Sequence, residues 1–358
     1  MTGRKFTSPA AGFVQAASLL AALACLNPAW TQSPAPAQTP EQFYTRKTTT
    51  LYVSAAADGG YDRLARAVGK HIYSHIPGKP LIAIRNMPGA GGIIAMNYIA
   101  NTALKDGTAF ALVQNNVPFE PLYGAKQAEY DATRLNWLGT PSVETGLLAV
   151  WHTNAAQNIR DAQRIPIKAG ASGHNSAPAF YARLMNELFK TKIEVVVGFR
   201  GQNGTFDAME KGQIDAYGST YWSSLVSTRT TWLKENKLRV LLQYGPERIP
   251  ELKNVPHAED LLRDPAAKAL LEAAYAPLAI GRPFVMAAGV PSDRVEAIRQ
   301  ALMQTFSDPR FLKDANRIGL VINRPLTGAE IQKTIVDIYR KPPAVIAQLR
   351  RIANAGKE

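Results

Sequence analysis

The sequence predicts an α/β protein with two mainly parallel sheets, each flanked by helices. Apolar segments typical of strands alternate with segments whose apolar residues recur at the spacing of a helix face. This alternation favours parallel sheets, because the helix after each strand carries the chain back to the start of the next strand. At 358 residues the chain is long enough for two such domains.

The composition excludes several classes of protein. Hydrophobic residues make up 46% of the chain, too many for a wholly disordered protein. The single cysteine excludes a disulfide framework, a thiolate zinc site and an iron–sulfur cluster. Lys and Arg number 41 against 28 Asp and Glu, a net charge of +13, but no run of four basic residues occurs. We therefore expect no nucleic-acid partner.

The first 37 residues have the features of an export signal followed by a linker. Two basic residues precede an uncharged stretch rich in alanine and leucine at residues 10–26. Cleavage is expected after Thr31 or Ala37, and a partial lipobox ending at Cys25 leaves lipidation there as a third option. Removing residues 1–37 lowers the charge from +13 to +11, because they contain two basic residues and no acid. No later segment approaches 18 uninterrupted apolar residues, so we expect an exported, soluble chain.

In the first part of the chain the pattern predicts three strands and two helices. Leu64, Val68, Ile72 and Ile76 recur at four-residue spacing and form one apolar helix face. The predicted strands are residues 50–57, 81–85 and 109–114, and the predicted helices are residues 62–76 and about 92–102.

The rest of the chain continues the alternation and ends in helices. A helix follows Ser292, and the capping box Thr327-Gly-Ala-Glu330 opens another. Before these, the predicted strands are residues 146–150, 165–169, 193–197, 214–217 and 238–244, and the predicted helices are about 177–189 and 205–211.

Three glycine-rich turns, at residues 57–62, 86–92 and 169–176, each follow a strand and open a helix. The unpaired backbone N–H groups at a helix start attract anions, and glycine lets a ligand approach the main chain. Ligands of open α/β sheets lie at the carboxyl ends of the strands, where these turns are expected. The turns therefore predict an anion site. The competing interpretation is that the glycines are needed only to form tight turns.

Nucleotide binding is not predicted. Residues 89–94 begin like a dinucleotide fingerprint, but Ile94 occupies the position that requires a third small residue. The phosphate-loop pattern G-x-x-x-x-G-K-[ST] does not occur in the chain. We therefore expect no cofactor.

Two side-chain pairs suggest chemistry, and each has a plainer interpretation. Ser172 lies near His174, but no G-x-S-x-G elbow surrounds the serine and no orienting acid is identifiable. His71 and His75 have a metal-ligand spacing that lacks a third ligand. We expect a turn serine and ordinary packing or surface histidines, and hence neither enzyme activity nor a metal site.

Two further residues have open roles. Asp62 is expected to cap the helix that follows it, with ligand contact as the alternative. Trp222 is expected either to line an aromatic ligand pocket or to pack in the core.

A collinear set of short motifs runs through residues 48–352. In chain order they are Gly59-Gly60 with Asp62, Leu64-Ala65-Arg66, N-x-P-G-A-G-G at 86–92, Asp106-Gly107, G-A-S-G at 170–173, F-R-G at 199–201, G-Q-I-D at 212–215 and A-G-V-P at 288–291. This set resembles the solute-binding receptors of tripartite tricarboxylate transporters, also called the Bug family.

The resemblance implies a type II periplasmic binding protein, in which two α/β lobes close on one small anion. It implies a first lobe of residues 45–140 plus 276–358 and a second lobe of residues 141–275. In that family, backbone amides and waters of both lobes hold the carboxylate oxygens. Together with the aromatic candidate above, the ligand-binding positions are then Ala57, Asp58, Gly59, Gly60, Tyr61, Asp62, Pro88, Gly89, Ala90 and Gly91 in one lobe and Ser172, Gly173, Asn175, Ser176, Arg200, Asp215 and Trp222 in the other.

Three residues depart from the family's pattern. Asp58 occupies a position that is usually small, and a fixed carboxylate there opposes an anionic ligand unless it points away or pairs with a cation. Tyr61 replaces a small hydroxyl residue, and Ala55 replaces a common bulky aromatic. These changes put a citrate-like tricarboxylate in doubt and leave a monocarboxylate, an aromatic acid and a polar neutral compound open.

The resemblance implies a non-catalytic periplasmic receptor. It would capture a small organic acid as a monomer and pass it to a two-component membrane permease. Two alternatives of other classes stay open, namely an exported hydrolase that uses Ser172 and His174, and a sensing receptor that docks on a membrane kinase.

Overall fold

The computed structural model describes residues 38–174 and 176–355; the predicted signal segment, Cys25 and Asn175 lie outside the described residues. The strands are β1 (Thr48–Val53), β2 (Leu81–Asn86), β3 (Ala109–Leu112), β4 (Asn136–Thr140), β5 (Gly146–Trp151), β6 (Ile167–Ala171), β7 (Ile193–Val197), β8 (Ala216–Tyr217), β9 (Thr220–Tyr221), β10 (Leu238–Tyr244), β11 (Phe284–Met286) and β12 (Leu326–Thr327). The helices are α1 (Pro40–Tyr44), α2 (Gly60–Ile72), α3 (Ile93–Asn97), α4 (Ala177–Phe189), α5 (Gly201–Glu210), α6 (Trp222–Thr228), α7 (Thr230–Lys234), α8 (Ala258–Leu261), α9 (Pro265–Ala274), α10 (Ala276–Ala279), α11 (Ser292–Ser307), α12 (Pro309–Arg317), α13 (Gly328–Tyr339) and α14 (Pro343–Asn354).

The strands form two sheets, and both have a parallel centre. In the first sheet the order is β12-β4-β11-β3-β1-β2, and β1 pairs in parallel with β2 and β3. In the second sheet the order is β10-β5-β8-β6-β7, and β6 pairs in parallel with β7 and β8. Antiparallel strands complete each sheet. The predicted fold class, two mainly parallel sheets flanked by helices, is confirmed.

Alternate residues of a central strand face two different cores. In β1, Leu51 and Val53 pack in the core beneath α2, α11 and α12, whereas Tyr52 joins the core on the opposite face. This two-residue period is expected of a strand that is buried on both faces. A third core fills the space between the second sheet and helices α5, α6 and α7.

The glycine-rich turns begin earlier than the sequence predicts. β1 ends at Val53 instead of residue 57, and β3 ends at Leu112 instead of residue 114. The helix predicted around 92–102 is present at residues 93–102, as α3 followed directly by a π-helical turn. Gly91 and Gly92, with positive φ angles of 65° and 101° that an α-helix cannot contain, lie before it, and Gly92 is the N-cap of α3.

The chain leaves the first sheet for the second and returns to the first. Strands of the first sheet lie within residues 48–140 and 284–327, and strands of the second within residues 146–244. The final helix α14 packs against α4 and α9, which belong to the second part. The division into lobes at residues 140/141 and 275/276 stays a prediction, because residues 38–358 cluster as one compact unit.

His71 of α2 and His75, just after α2, contact aspartates and help to dock α2 on α12. His71 Nε2 lies 3.0 Å from Asp314 Oδ2, and His75 Nε2 lies 3.0 Å from Asp308 Oδ2. Asp308 is also the N-cap of α12, where it accepts the backbone N–H of Arg310. Within the described residues, no group of three or more His, Cys, Asp or Glu is placed to hold a metal ion.

Candidate functional site

The first glycine-rich turn joins β1 to α2 through a left-handed residue. Asp58 has a φ of 65°, and Gly59 then takes the extended conformation of an N-cap before α2 begins at Gly60. The prediction that Asp62 caps the helix is therefore wrong, because the helix starts two residues before it. Instead, the Asp62 carboxylate reaches back and accepts the backbone N–H of Asp58 at 3.0 Å.

The buried carboxylate of Asp62 ties this first turn to the second. Arg66 Nε and Asn86 Nδ2 each donate to it at 2.9 Å. Burial opposes ionisation, but these hydrogen bonds and that from the Asp58 N–H outweigh it and hold the pKa of Asp62 below its usual range. Both oxygens are engaged within the protein. Asp62 therefore connects the two turns, and its ligand contact, the alternative given for it above, stays a prediction.

The two unusual residues of the first turn have different surroundings. Asp58 is exposed, and its carboxylate interacts electrostatically with Arg66. The ring of Tyr61 lies 5.3 Å from Cζ of Arg282, and its Oη accepts the backbone N–H of Asn115 at 3.2 Å. Burial raises the pKa of Tyr61, so it stays a neutral phenol. Arg66 forms its ion pair with Asp62, so its attraction for the exposed Asp58 is the weaker of the two interactions.

The second turn, residues 86–92, contains four consecutive positive φ angles. They are 133° at Gly89, 45° at Ala90, 65° at Gly91 and 101° at Gly92. Such a run favours glycine, and an added Cβ at Gly92 would lie 2.7 Å from Val117 Cγ2. Because β1 and β2 are parallel, this turn lies beside the first at the carboxyl edge of the first sheet. Pro88 is exposed within it.

The third turn follows β6 and opens α4 at the carboxyl edge of the second sheet. Ser176 closes it, since its Oγ and its backbone N–H both donate to Gly173 O, at 2.7 and 3.1 Å. Ser172 is exposed, and an added Cβ at Gly173 would meet no heavy atom within 4 Å. The turn therefore leaves open space beside its glycine.

The third turn does not contain a working serine–histidine pair. His174 Nδ1 lies 3.2 Å from Arg183 Nη2, and the same guanidinium donates to His174 O at 2.9 Å. A guanidinium can only donate, so Nδ1 accepts and neutral His174 carries its proton on Nε2. No hydrogen bond joins Ser172 to His174 in the described part of the chain. The geometry thus gives the hydrolase alternative no activated nucleophile.

The other predicted residues of the second sheet are spread apart. Arg200 is exposed between β7 and α5, on the same edge as the third turn. Asp215 lies near the opposite end of β6, where its carboxylate accepts the backbone N–H of Lys168 at 2.7 Å. The ligand contact predicted for Asp215 is thus replaced by a structural one. Trp222 packs against the third core, which favours the packing interpretation.

The carboxyl edges of the two sheets meet along a line of polar contacts. Tyr221 Oη donates to Asn115 Oδ1 at 3.3 Å, and Arg63 Nη1 donates to Ser227 O at 2.7 Å. Arg282 joins Gly60 O, at 3.0 Å, to the hydroxyls of α6. We call this region the seam, formed by Tyr61, Asn115 and Arg282 on one side and by Tyr221, Ser223 and Ser224 on the other.

A buried ion pair supports the seam. Arg282 Nε lies 2.8 Å from Glu144 Oε1, with side chains that are 4% and 1% exposed. Ser223 Oγ donates to the other carboxylate oxygen at 2.5 Å, and Arg282 Nη2 donates to the hydroxyls of Ser223 and Ser224 at 2.9 and 3.1 Å. Because Glu144 neutralises Arg282, this guanidinium is not a free anion site.

A crevice beside the seam separates the loop after β3 from the third turn. Tyr123 and Phe180 stack face to face across it, with ring centroids 5.4 Å apart. Its lining comes from both sides and includes Asn116, Glu120, Tyr123, His174, Phe180 and Tyr181. The loop after β3 and the third turn therefore face each other across this crevice.

Sequence reasoning missed Asn115, Tyr221 and Arg282 in the seam, and it also missed Glu144, which supports the seam. A signal existed for Asn115, because Gln-Asn-Asn follows the apolar strand Ala109–Leu112 almost directly, at a carboxyl edge. Arg282 is a lone charge between apolar segments, which indicates a buried partner but not which one. Nothing in the sequence pairs Glu144 or Tyr221 with their contacts.

Solved structures with a similar fold include solute-binding proteins. A TctC solute-binding protein from Polaromonas, without ligand, has a TM-score of 0.62 and 18% identity, covering 87% of this chain and 99% of that chain. MatC from Rhodopseudomonas palustris with bound malate has a TM-score of 0.65 and 19% identity, and the match covers 86% of this chain and 99% of that chain. Rpa4515 from R. palustris with adipate has a TM-score of 0.62 and 17% identity, and the match covers 86% of this chain and 96% of that chain. The protein has the fold of the TctC-type solute-binding proteins.

The predicted resemblance is confirmed at the level of the fold. No protein-family model and no curated protein matches the chain. At these identities the likeness extends to the fold alone, and the site rests on the contacts described above. Among the described residues, no helix has both the length and the apolarity needed to cross a membrane.

Proposed function

We propose that the protein is a periplasmic solute-binding protein that captures one small organic carboxylate between its two sheets. The observation that carries this proposal is the meeting of two carboxyl edges at the seam, each edge bearing glycine-rich turns. Such turns present backbone N–H groups and helix N-termini to a bound anion. The ligands of two structures with this fold, malate and adipate, are small dicarboxylates and support this choice.

The proposed ligand contacts are mainly backbone groups of the turns. They are residues 57–61 and 88–91 of the first sheet, residues 172–176 of the second, and the exposed side chain of Arg200. Asp62 and Asp215 are left out, because their carboxylates are occupied by protein donors. Closure on the ligand follows from its differential affinity for the closed state.

The proposed route is export, capture and delivery. The features of residues 1–37 support secretion to the periplasm, either by cleavage of a signal peptide or with a lipid on Cys25. There the loaded protein, as a monomer, would dock on a two-component permease of the tripartite tricarboxylate type. Neither hydrolysis nor partnership with a membrane kinase is favoured by a contact in the structure.

The first test is thermal unfolding of the protein, after unfolding and refolding to remove retained ligand, in the presence of malate, adipate, citrate, benzoate and cadaverine. A carboxylate at a hundredfold excess over its Kd should add about 2.7 kcal/mol to the free energy of unfolding and so raise Tm. Cadaverine, a diamine without a carboxylate, serves as the cationic control and should leave Tm unchanged. A panel in which no carboxylate raises Tm contradicts the proposal.

A further inference from the structure

In the seam, Asn115 has a buried side-chain donor that no protein contact among the described residues satisfies. Its side chain is 1% exposed, its backbone N–H donates to Tyr61 Oη at 3.2 Å, and its Oδ1 accepts Tyr221 Oη at 3.3 Å. Its Nδ2 has no hydrogen-bond partner within the described residues. A buried amide donor without a partner is costly, so it is normally satisfied by something else.

The position of Asn115 indicates what satisfies it. The residue follows β3 at the carboxyl edge of the first sheet, beside the first glycine-rich turn, and touches Tyr221 of the second sheet. It therefore lies where the two edges meet, in the region that the proposed function assigns to the ligand. The next residue, Asn116, lines the crevice that faces the third turn.

The donors at this position are neutral. Tyr61 Oη already accepts a backbone N–H, so its own proton is available to donate, and burial keeps that phenol protonated. The nearby Arg282 is neutralised by Glu144 and directed at Gly60 O and two serine hydroxyls. An acceptor oxygen that enters the seam therefore meets an amide and a phenol, without a free guanidinium.

We propose that Asn115 Nδ2, together with the Tyr61 hydroxyl, donates hydrogen bonds to a carboxylate oxygen of the ligand. This inference rests on the proposed function and names a specificity-determining side chain within it. Asn115 then makes two different hydrogen bonds: its Oδ1 accepts from Tyr221 of the second sheet, and its Nδ2 donates to the ligand. According to this proposal, the ligand places a hydrogen-bond acceptor beside Asn115 and Tyr61, and a cationic group is excluded there.

A near-isosteric substitution of Asn115 can remove the Nδ2 donor while keeping an oxygen for Tyr221. Asn115→Asp keeps an oxygen for Tyr221 but replaces the donor with a carboxylate, which repels a carboxylate ligand. With the tightest carboxylate of the panel as the probe, we expect calorimetry to show at least about a tenfold loss of affinity, the scale of a lost charge-assisted hydrogen bond. Asn115→Leu, which removes both polar atoms without adding charge, should show a similar loss if Asn115→Asp fails to fold.

Two variants serve as controls. Tyr221→Phe removes the bond to Oδ1 while leaving Nδ2, so its affinity should change less than that of Asn115→Asp. Asn236→Asp makes the same chemical change at an exposed residue before β10, at the opposite end of the second sheet, and should bind like the unchanged protein.

The outcomes distinguish this inference from the proposed function. If the unchanged protein binds a panel carboxylate and Asn115→Asp, folded by circular dichroism, binds it equally well, the Asn115 inference is overturned and the proposed function stands. If the unchanged protein binds no carboxylate, or binds cadaverine instead, both are overturned. Equal losses in Asn115→Asp and Tyr221→Phe would show that the contact between the sheets matters and would overturn the donor role of Nδ2.

Discussion

Arg282 shows how much a single buried charge can matter in this protein. Its guanidinium and the Glu144 carboxylate are almost fully buried against each other, and the arginine also bonds the first turn and α6. Removing one partner of such a pair leaves the other charge buried without compensation, whereas removing both costs much less.

We therefore expect Arg282→Met to lower the free energy of unfolding by about 3–5 kcal/mol, measured by urea denaturation. The double variant Arg282→Met with Glu144→Leu should recover most of this loss, because no unpaired charge is left. Equal destabilisation of the single and double variants would show that the ion pair is not what makes Arg282 important.

Single residues were the level at which sequence reasoning failed most. The family resemblance implied ligand contacts for Asp62 and Asp215, and both carboxylates accept backbone N–H groups close by, from Asp58 and Lys168. A carboxylate in a turn binds the nearest free donor, and which donor is nearest depends on φ angles that a motif does not contain. Asp58 is an example, since it is left-handed at a position where the family usually has a small residue.

At the scale of elements, the contact between α2 and α12 makes a prediction about pH. Hydrogen bonds from Lys70 and then His71 lower the pKa of Asp314 to about 2. A folded pKa below the ordinary value of about 3.9 means that this carboxylate stabilises the fold at higher pH. Its contribution is complete above about pH 4 and disappears as the pH falls towards 2.

Asp314→Asn should therefore flatten the acid limb of stability, measured as the urea midpoint from pH 2 to pH 6. The difference from the unchanged protein should be largest near pH 6 and should vanish near pH 2. Asp207→Asn, at an exposed residue of α5 that lies 3.6 Å from Arg229, is the control and should change the acid limb much less than Asp314→Asn does. An acid limb of unchanged slope in Asp314→Asn would contradict this account of the α2–α12 contact.

Elements with a regular pattern were predictable to the residue, and elements bent by glycine were not. The predicted helix 177–189 and strands 193–197 and 238–244 have the bounds of α4, β7 and β10. The Thr327 capping box was also correct, with both of its hydrogen bonds present. Bounds beside the glycine turns were less accurate: β1 was predicted to continue to residue 57 but ends at Val53, and the helix predicted around 92–102 begins just after the left-handed Gly92.

At the scale of the whole molecule, the alternation of strands and helices in the sequence predicted the fold class. It did not predict the side-chain contacts of the seam. Strand–helix alternation decides which layers form, because each element must bury one face. The Tyr221–Asn115 contact joins residues 106 positions apart, and only the three-dimensional arrangement of two sheets brings them together. The glycine turns could thus be assigned to carboxyl edges from the sequence, while the side chains between those edges could not.

The open space beside Gly173 allows the site to be blocked without disturbing the fold. An added side chain meets nothing within 4 Å there, whereas Gly91 has a φ of 65° and would be strained by any substitution. Gly173→Leu should keep the free energy of unfolding within about 0.5 kcal/mol, as for other surface changes, and should weaken carboxylate binding at least about tenfold. Ala266→Leu, which places the same side chain at an exposed position of α9, should bind the carboxylate as tightly as the unchanged protein does.

Isothermal titration calorimetry of the refolded, ligand-free protein with the carboxylate that raises Tm most is the most direct test of carboxylate capture between the two sheets. The account predicts saturable binding at a single site per chain, which Gly173→Leu loses and Ala266→Leu keeps. Absence of saturable binding by any carboxylate of the panel, or equal binding by Gly173→Leu, would contradict it.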